Sequence, residues 1–136
     1  MTTKVALDFT EIARRLKATA LPDVDLVIGI ARGGVVPASL AAYQLDCPLQ
    51  VMRVQYRADD NQPMHDAPRV LTEPPLSGER LRILLVDDVC VSGQTMAAAR
   101  RALAGHEIVT LVCKGRGDFV LFPEVAECVR WPWNLE

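Results

Sequence analysis

The stretch Ile83-Leu84-Leu85-Val86-Asp87-Asp88-Val89-Cys90-Val91-Ser92-Gly93-Gln94-Thr95 decides how this chain folds. Its apolar opening runs into two acids, and a small Gly-containing turn then opens an Ala-rich run. A short apolar run of this kind suits a strand, here residues 82–87, buried on both faces as in a parallel sheet. Residues 94–104 read as a helix that stops at Gly105, a residue suited to the position just past a helix end. A strand feeding a helix through a tight turn is half of a βαβ unit, so the flanking segments should supply more strands.

They do. Residues 9–21 set Ile12, Ala13, Leu16 and Ala20 at helical spacing, with Asp8 and Glu11 arranged like a capping box and Pro22 as the stop. Residues 24–30 form another buried-strand pattern and run into Ala31-Arg32-Gly33-Gly34. Pro37 suits a first helical turn, residues 38–45 read as helix, and residues 48–54 read as strand. Residues 56–78 then break the pattern: they are polar, weakly periodic and carry Pro63, Pro68, Pro74 and Pro75. A connection this long inside a compact domain is often a functional lid, with room for a short hairpin at residues 69–72. Beyond the second helix-bearing unit, residues 107–113 and 126–130 read as strands, the last leading into Trp131-Pro132-Trp133. The alternation implies an α/β fold with a mostly parallel sheet, and 136 residues suffice for a single domain, residues 1–136.

Composition narrows the function. Half the residues are hydrophobic and 24% are charged, which excludes a disordered chain. The net charge of −2 comes with scattered Lys and Arg, so neither a nucleic-acid footprint nor a membrane-binding basic face is expected. No apolar stretch reaches transmembrane length, and residues 1–7 lack the apolar core of a signal peptide. Cys47, Cys90, Cys113 and Cys128 form no C-x-x-C pair, so no zinc or redox motif is indicated; three of them lie in or beside apolar runs as small hydrophobes, and a reduced, cytoplasmic protein is expected. His65 and His106 have no partner at metal-ligand spacing and read as surface residues.

In open parallel sheets, ligands bind outside the carboxyl ends of the strands. Residues 31–34, 87–95 and 114–118 each follow a strand, so a parallel sheet brings all three to one edge. Ser92-Gly93-Gln94-Thr95 opens a helix, whose free N–H groups and positive dipole end suit a phosphate. Asp87 and Asp88 beside such a site suit Mg²⁺ or a polyol sugar. The plainer alternative is a tight turn with a capping Ser and solvated acids. Arg32 with Gly33 and Gly34 makes a second anion site, and Lys114-Gly115-Arg116-Gly117 a third cationic loop; each on its own also reads as an ordinary Gly turn with a surface charge. Trp131 and Trp133 serve either as a flat surface for a heterocycle or as core packing.

Residues 83–95 resemble the phosphoribosyl-pyrophosphate motif of type I phosphoribosyltransferases: apolar residues, two acids, then a small-Gly-x-Ser/Thr cradle. Gly29-Ile30-Ala31-Arg32-Gly33-Gly34-Val35-Val36-Pro37 is similar to that family's pyrophosphate loop. Residues 56–62, with Asp60-Asn61-Gln62, look like the flexible loop of bacterial xanthine–guanine enzymes, and Lys114 and the C-terminal Pro-Trp match their base-binding Lys and hood. The likeness spans residues 26–133. It implies a three-layer sheet with helices on both faces, a lid at residues 56–78 and a small hood at residues 114–136.

The resemblance also implies a reaction, in which a purine base displaces pyrophosphate from phosphoribosyl pyrophosphate. Asp87, Asp88 and Arg32 would be the catalytic residues, with Asp87 and Asp88 holding the ribose hydroxyls directly or through Mg²⁺. Val91, Ser92, Gly93, Gln94 and Thr95 would hold the 5′-phosphate, and Arg32 with Ala31, Gly33 and Gly34 the pyrophosphate, across an Ala31–Arg32 peptide expected to be cis. Lys114, Val129 and Trp131 would contact the base, and Tyr56 would belong to the closing lid. A homo-oligomer, dimer or tetramer, is implied by analogy. The sequence departs from the pattern at Val91, where purine enzymes of this family carry an acid that handles the proton of the imidazole ring, and at Cys128, where a stacking aromatic is expected. Three alternatives follow: a more acidic base or a substitute such as Asp118; a non-catalytic nucleotide-binding regulator; and a transferase with a non-purine acceptor.

Overall fold

In the computed structural model, residues 4–55, 68–76 and 78–134 are described. The strand read from residues 82–87 runs further than expected: β5 spans Arg82–Cys90, three residues past Asp87. To one side lies β2 (Leu26–Ala31), then β3 (Leu49–Gln55) and β4 (Arg69–Thr72); to the other lie β6 (Glu107–Gly115) and β7 (Phe119–Val120). The order is β4-β3-β2-β5-β6-β7, and every pairing is parallel except β3 with β4. Residues 69–72 thus form an antiparallel edge strand on β3 and not a separate hairpin. A second, two-stranded parallel sheet joins β1 (Val5–Ala6) to β8 (Val129–Arg130), which shortens the strand expected over residues 126–130.

Side chains alternate across each strand, so β5 feeds two cores. Leu84 and Val86 pack with Ile12 and Leu16 of α1 (Phe9–Ala18) and Ala38, Ala41 and Ala42 of α2 (Val35–Leu45). Ile83 and Leu85 pack on the other face with Met96, Ala98 and Ala99 of α3 (Gln94–Ala102). The expected three layers with helices on both faces follow. In β2, Leu26 to Ile30 are buried throughout, as a strand covered on both faces must be.

The helix ends differ from the sequence reading where local chemistry intervenes. Asp8 caps α1 by accepting from Glu11 N at 2.8 Å, but the Glu11 carboxylate does not return to it. It pairs instead with Arg14 and Arg15, which lower its pKa to about 2. Arg15 goes on to Leu121 O and Glu124, tying α1 to the segment that follows β7. Helix α2 begins at Val35, earlier than residue 38, because the chain turns at once after Gly34. Helix α3 ends at Ala102, and Gly105 (φ +98°) serves the turn into β6 rather than the helix terminus itself. No described helix is long and apolar enough to cross a membrane.

Leu84, 0% exposed at the centre of the first cluster, gives a stability test. Leu84→Ala should cost about 2–5 kcal/mol, read as a lower urea midpoint at an unchanged slope. Tyr43→Ala, at a residue 90% exposed, should stay within about 0.5 kcal/mol of the parent.

Candidate functional site

Because β2, β3, β5 and β6 run parallel, their carboxyl ends share one edge. A cavity of about 630 Å³ opens there. Ala31, Arg32, Asp87, Val91, Ser92, Gly93 and Thr95, all singled out in the sequence, line it. So do Arg53, Val54 and Gln55 from the end of β3, with Val89, Cys90 and Met96.

The phosphate-type cradle follows from backbone geometry. Gly93 has φ +82°, a left-handed conformation that other residues adopt at a cost, and it turns β5 into α3. The first helical bond of α3 runs from Ala97 N to Gly93 O at 2.9 Å, so the preceding amides lie outside the helical ladder. One of them, Gln94 N, donates to Ser92 Oγ at 3.3 Å. The amides of Thr95 and Met96 remain for an anion at the cavity wall.

The first loop packs directly on the acids. A Cβ on Gly33 would stand 2.2 Å from Asp88 Oδ2, and one on Gly34 would stand 2.3 Å from Val86 O. Only glycines let residues 33–34 lie against β5. The Ala31–Arg32 peptide is cis, as expected.

Asp87 and Asp88 take different positions, since neighbours in a strand point to opposite faces. Asp87 lines the cavity, and its Oδ1 accepts from Asp88 N at 2.8 Å. Burial first, and then the charge of Asp88, push the Asp87 carboxyl well above the usual carboxylate range. Asp88 is braced against Gly33, with Oδ1 accepting from Val89 N at 2.7 Å. Cys90 lines the cavity as a thiol, its pKa raised by burial and by Asp87.

The pattern of the phosphoribosyl transferase domain matches residues 3–124. The chain belongs to the phosphoribosyltransferase family. Its transferase character comes with that membership. It is 30% identical over 118 residues to a xanthine-guanine phosphoribosyltransferase of Cereibacter sphaeroides, covering 80% of this chain and 68% of that one. It is 38% identical over 92 residues to the bifunctional protein PyrR of Pseudomonas fluorescens, covering 63% and 55%. The chain spans about two thirds of the length of the xanthine-guanine relatives it matches. A purine phosphoribosyltransferase structure from Pyrococcus horikoshii has the same fold, with TM-score 0.82 at 24% identity, covering 98% of this chain and 95% of that one.

Against this family frame, several expected site residues stand elsewhere. Lys114 does not line the cavity among the described residues; its Nζ donates to Glu127 O at 2.5 Å and Ala126 O at 3.3 Å, tying the end of β6 to the hood. The third loop reaches the site only through its backbone, where Arg116 N donates to Cys90 O at 2.9 Å. Trp131 cannot offer an open face to a base as the sequence suggested: it is 3% exposed, stacked on Trp133 at 5.3 Å and packed on Phe122. Val129 pairs with Val5 in the small sheet. Asp118 is no substitute acid, because its Oδ2 accepts from Thr110 N and Oγ1 and its own N–H donates back to that hydroxyl. His106 is more than a surface residue, since Nδ1 accepts from Leu81 N at 3.0 Å. Tyr56 and the core of the expected lid lie outside the described residues.

The residues missed are those of β3. Its register with β2 pairs Ala31 with Arg53, so its end reaches the same edge. The polar Arg53 and Gln55 at the end of the strand were the available signal.

As for a metal, no described group of three or more His, Cys, Asp or Glu could hold one. Mg²⁺ usually binds through one or two carboxylates and completes its octahedron with water and substrate phosphates. A largely buried Asp87, whose ionisation burial and the neighbouring Asp88 disfavour, offers with Asp88 two hard oxygen donors that fit that mode.

Two tests follow. An acid whose folded pKa is raised costs stability above its unfolded value of about 3.8, increasingly as pH rises towards the folded one. Asp87→Asn should therefore raise the melting temperature of the unliganded protein, with a gap wider at pH 7 than at pH 4.5; a gap that narrows with pH would contradict it. Gly34→Ala should destabilise by about 1–3 kcal/mol through overpacking against β5, measured by urea denaturation.

Proposed function

We propose that this phosphoribosyltransferase moves a phosphoribosyl group from phosphoribosyl pyrophosphate to a purine base of the xanthine, guanine or hypoxanthine class, releasing pyrophosphate. The observation that carries the reading is the shared cavity of Arg32, Asp87 and the N-terminal turn of α3. It offers, within one space, a cation for a leaving anion, a carboxylate for sugar hydroxyls and amides for a phosphate. Similarity to curated xanthine-guanine enzymes supports the purine acceptor.

The amides and hydroxyls of residues 91–95 hold the 5′-phosphate at the positive end of α3. Asp87, on the cavity wall, and Asp88, beside the Gly33 loop, orient the ribose hydroxyls and would hold Mg²⁺. Mg²⁺ bound there supplies positive charge for the phosphate oxygens. As the bond to pyrophosphate breaks, negative charge grows on the leaving group, and Arg32 with the amides of Gly33 and Gly34 stabilises it. Fixing base and sugar in line contributes a large further share. Lys114, Val129 and Trp131 belong to the hood; Lys114 still has one ammonium hydrogen beyond its two carbonyl partners with which to reach a base oxygen.

One observation favours a second reading. Val91 is 71% exposed on the cavity wall and accepts no proton. A chain that binds nucleotide without turnover, or one that uses a pyrimidine as acceptor, is compatible with such a wall, and similarity to an orotate phosphoribosyltransferase of Pyrobaculum islandicum, 27% identical over 95 residues, supports the pyrimidine acceptor.

Incubation with phosphoribosyl pyrophosphate, Mg²⁺ and, in turn, xanthine, guanine, hypoxanthine, adenine, uracil and orotate should release pyrophosphate with a 6-oxopurine. Saturable nucleotide binding without release for any base would favour the regulator, and release with uracil or orotate alone would favour the pyrimidine acceptor. Val91→Asp should raise the rate with hypoxanthine by about 10²-fold if a missing proton acceptor limits it.

A further inference from the structure

The sheet order fixes the side from which an acceptor enters. Residues 31–34, which hold the leaving group in the reading above, follow β2, and β6 flanks β5 on the other side. A nucleophile that displaces a leaving group in line approaches from the opposite side of the reacting carbon. The acceptor therefore meets the sugar on the β6 side, against residues 89–91 and the turn that follows β6.

Val89, Cys90 and Val91 give the cavity wall there no carboxylate. Across from them, Gly115 pairs in register with Cys90, and Arg116 N donates to Cys90 O at 2.9 Å, so Arg116 leaves the sheet beside the Val91 turn. Arg116 is exposed, and its side chain makes no hydrogen bond or ion pair with another described residue. Its charge reaches the Cys90 thiol on the cavity wall. The charged neighbours in the same turn are engaged: Lys114 Nζ donates to Ala126 O and Glu127 O, and Asp118 accepts from Thr110. An unpaired guanidinium beside an otherwise neutral wall favours the charged form of an acidic ligand over its neutral form. A wall built to take a proton from the ligand would need an acceptor group there instead.

We propose that the acceptor enters as an anion, a 6-oxopurine that has already lost a ring proton, and that Arg116 pairs with that charge. The proposal rests on the phosphoribosyl-transfer reading and narrows its acceptor to xanthine, the most acidic of the three purines. The planar fork of the guanidinium matches the oxygen and nitrogen of a deprotonated ring amide. A ring nitrogen's lone pair forms the bond to the anomeric carbon as the bond to the pyrophosphate oxygen breaks, and the electron pair of the broken bond leaves with pyrophosphate. The negative charge that the acceptor brings is neutralised by the new bond, so no proton has to pass to the protein. An apolar Val91 suits that chemistry.

The test follows pyrophosphate release by the full chain with phosphoribosyl pyrophosphate, Mg²⁺ and, in turn, xanthine, guanine, hypoxanthine and orotate. The proteins are the parent, Arg116→Gln, Arg116→Lys and Glu127→Gln. In the parent, kcat/KM for xanthine should exceed that for hypoxanthine by about 10²-fold, the share a protein base would otherwise supply. Arg116→Gln should lower the xanthine value about tenfold or more and leave guanine and hypoxanthine within about twofold, with Arg116→Lys in between. The unchanged guanine value also serves as the check that the variant is folded. Equal xanthine and hypoxanthine values in the parent, or equal losses for every base in Arg116→Gln, would overturn the proposal and leave the transferase reading intact. Loss of xanthine turnover in Glu127→Gln would make that carboxylate the proton acceptor and overturn it as well. Release with orotate in place of xanthine would assign Arg116 to a carboxylate, with the same consequence. A parent that releases no pyrophosphate with any of the bases would remove the transferase reading, and this proposal with it.

Discussion

The parallel pairing of β2 with β3 on one side and β5 on the other is the constraint on which the rest of the structure depends. Parallel strands have to be joined by crossovers, so the helices cover both faces and the turns that leave the carboxyl ends gather at one edge. Each strand then contributes what its own end carries: Arg32 after β2, Arg53 on β3, and Asp87 with the residue 91–95 turn on and after β5. None of these residues is near another in sequence across strands. The sheet alone makes them neighbours.

That edge is tightly built, with no room for side chains at Gly33 and Gly34, whose backbone lies on Asp88 and on the Val86 carbonyl. At Gly115 likewise an added Cβ would stand 1.9 Å from Cys90 O, so the third loop is fixed against β5 from the far side. The first and third loops are therefore packed closely on β5 from its two sides, which holds their backbone at set positions before any ligand arrives. Preorganisation of that kind is what makes fixed dipoles effective on developing charge.

The acids work against this stability. A carboxylate kept from water beside a second carboxylate is unfavourable in the unliganded protein, and Asp87 is in that position. A cation bound beside Asp87 would offset that cost. Away from the site, the charged groups of α1 have the opposite character. Glu11, Arg15 and Glu124 pair in the open and tie α1 to the segment after β7, with Arg15 over the Phe122 ring at 4.3 Å.

Much of this was legible in residues 83–95 and 26–37 alone, because the signals there are local: an apolar run that must be buried on both faces, a glycine at a forced turn, acids at a strand end. Those local rules determined the α/β class, the parallel sheet, the edge that carries the site and the family resemblance. They could not determine which way a side chain points once strands bend or hoods close. Trp131 looked available and is packed between Phe122 and Trp133; Lys114 looked aimed at a ligand and is held by hood carbonyls; Asp118 looked like a spare acid and fastens Thr110. The same limit hid Arg53, whose place at the cavity depends on its register with Ala31. Such contacts join residues far apart in the chain, and the free energy that fixes them comes from packing and hydrogen bonds that exist only after the sheet has formed.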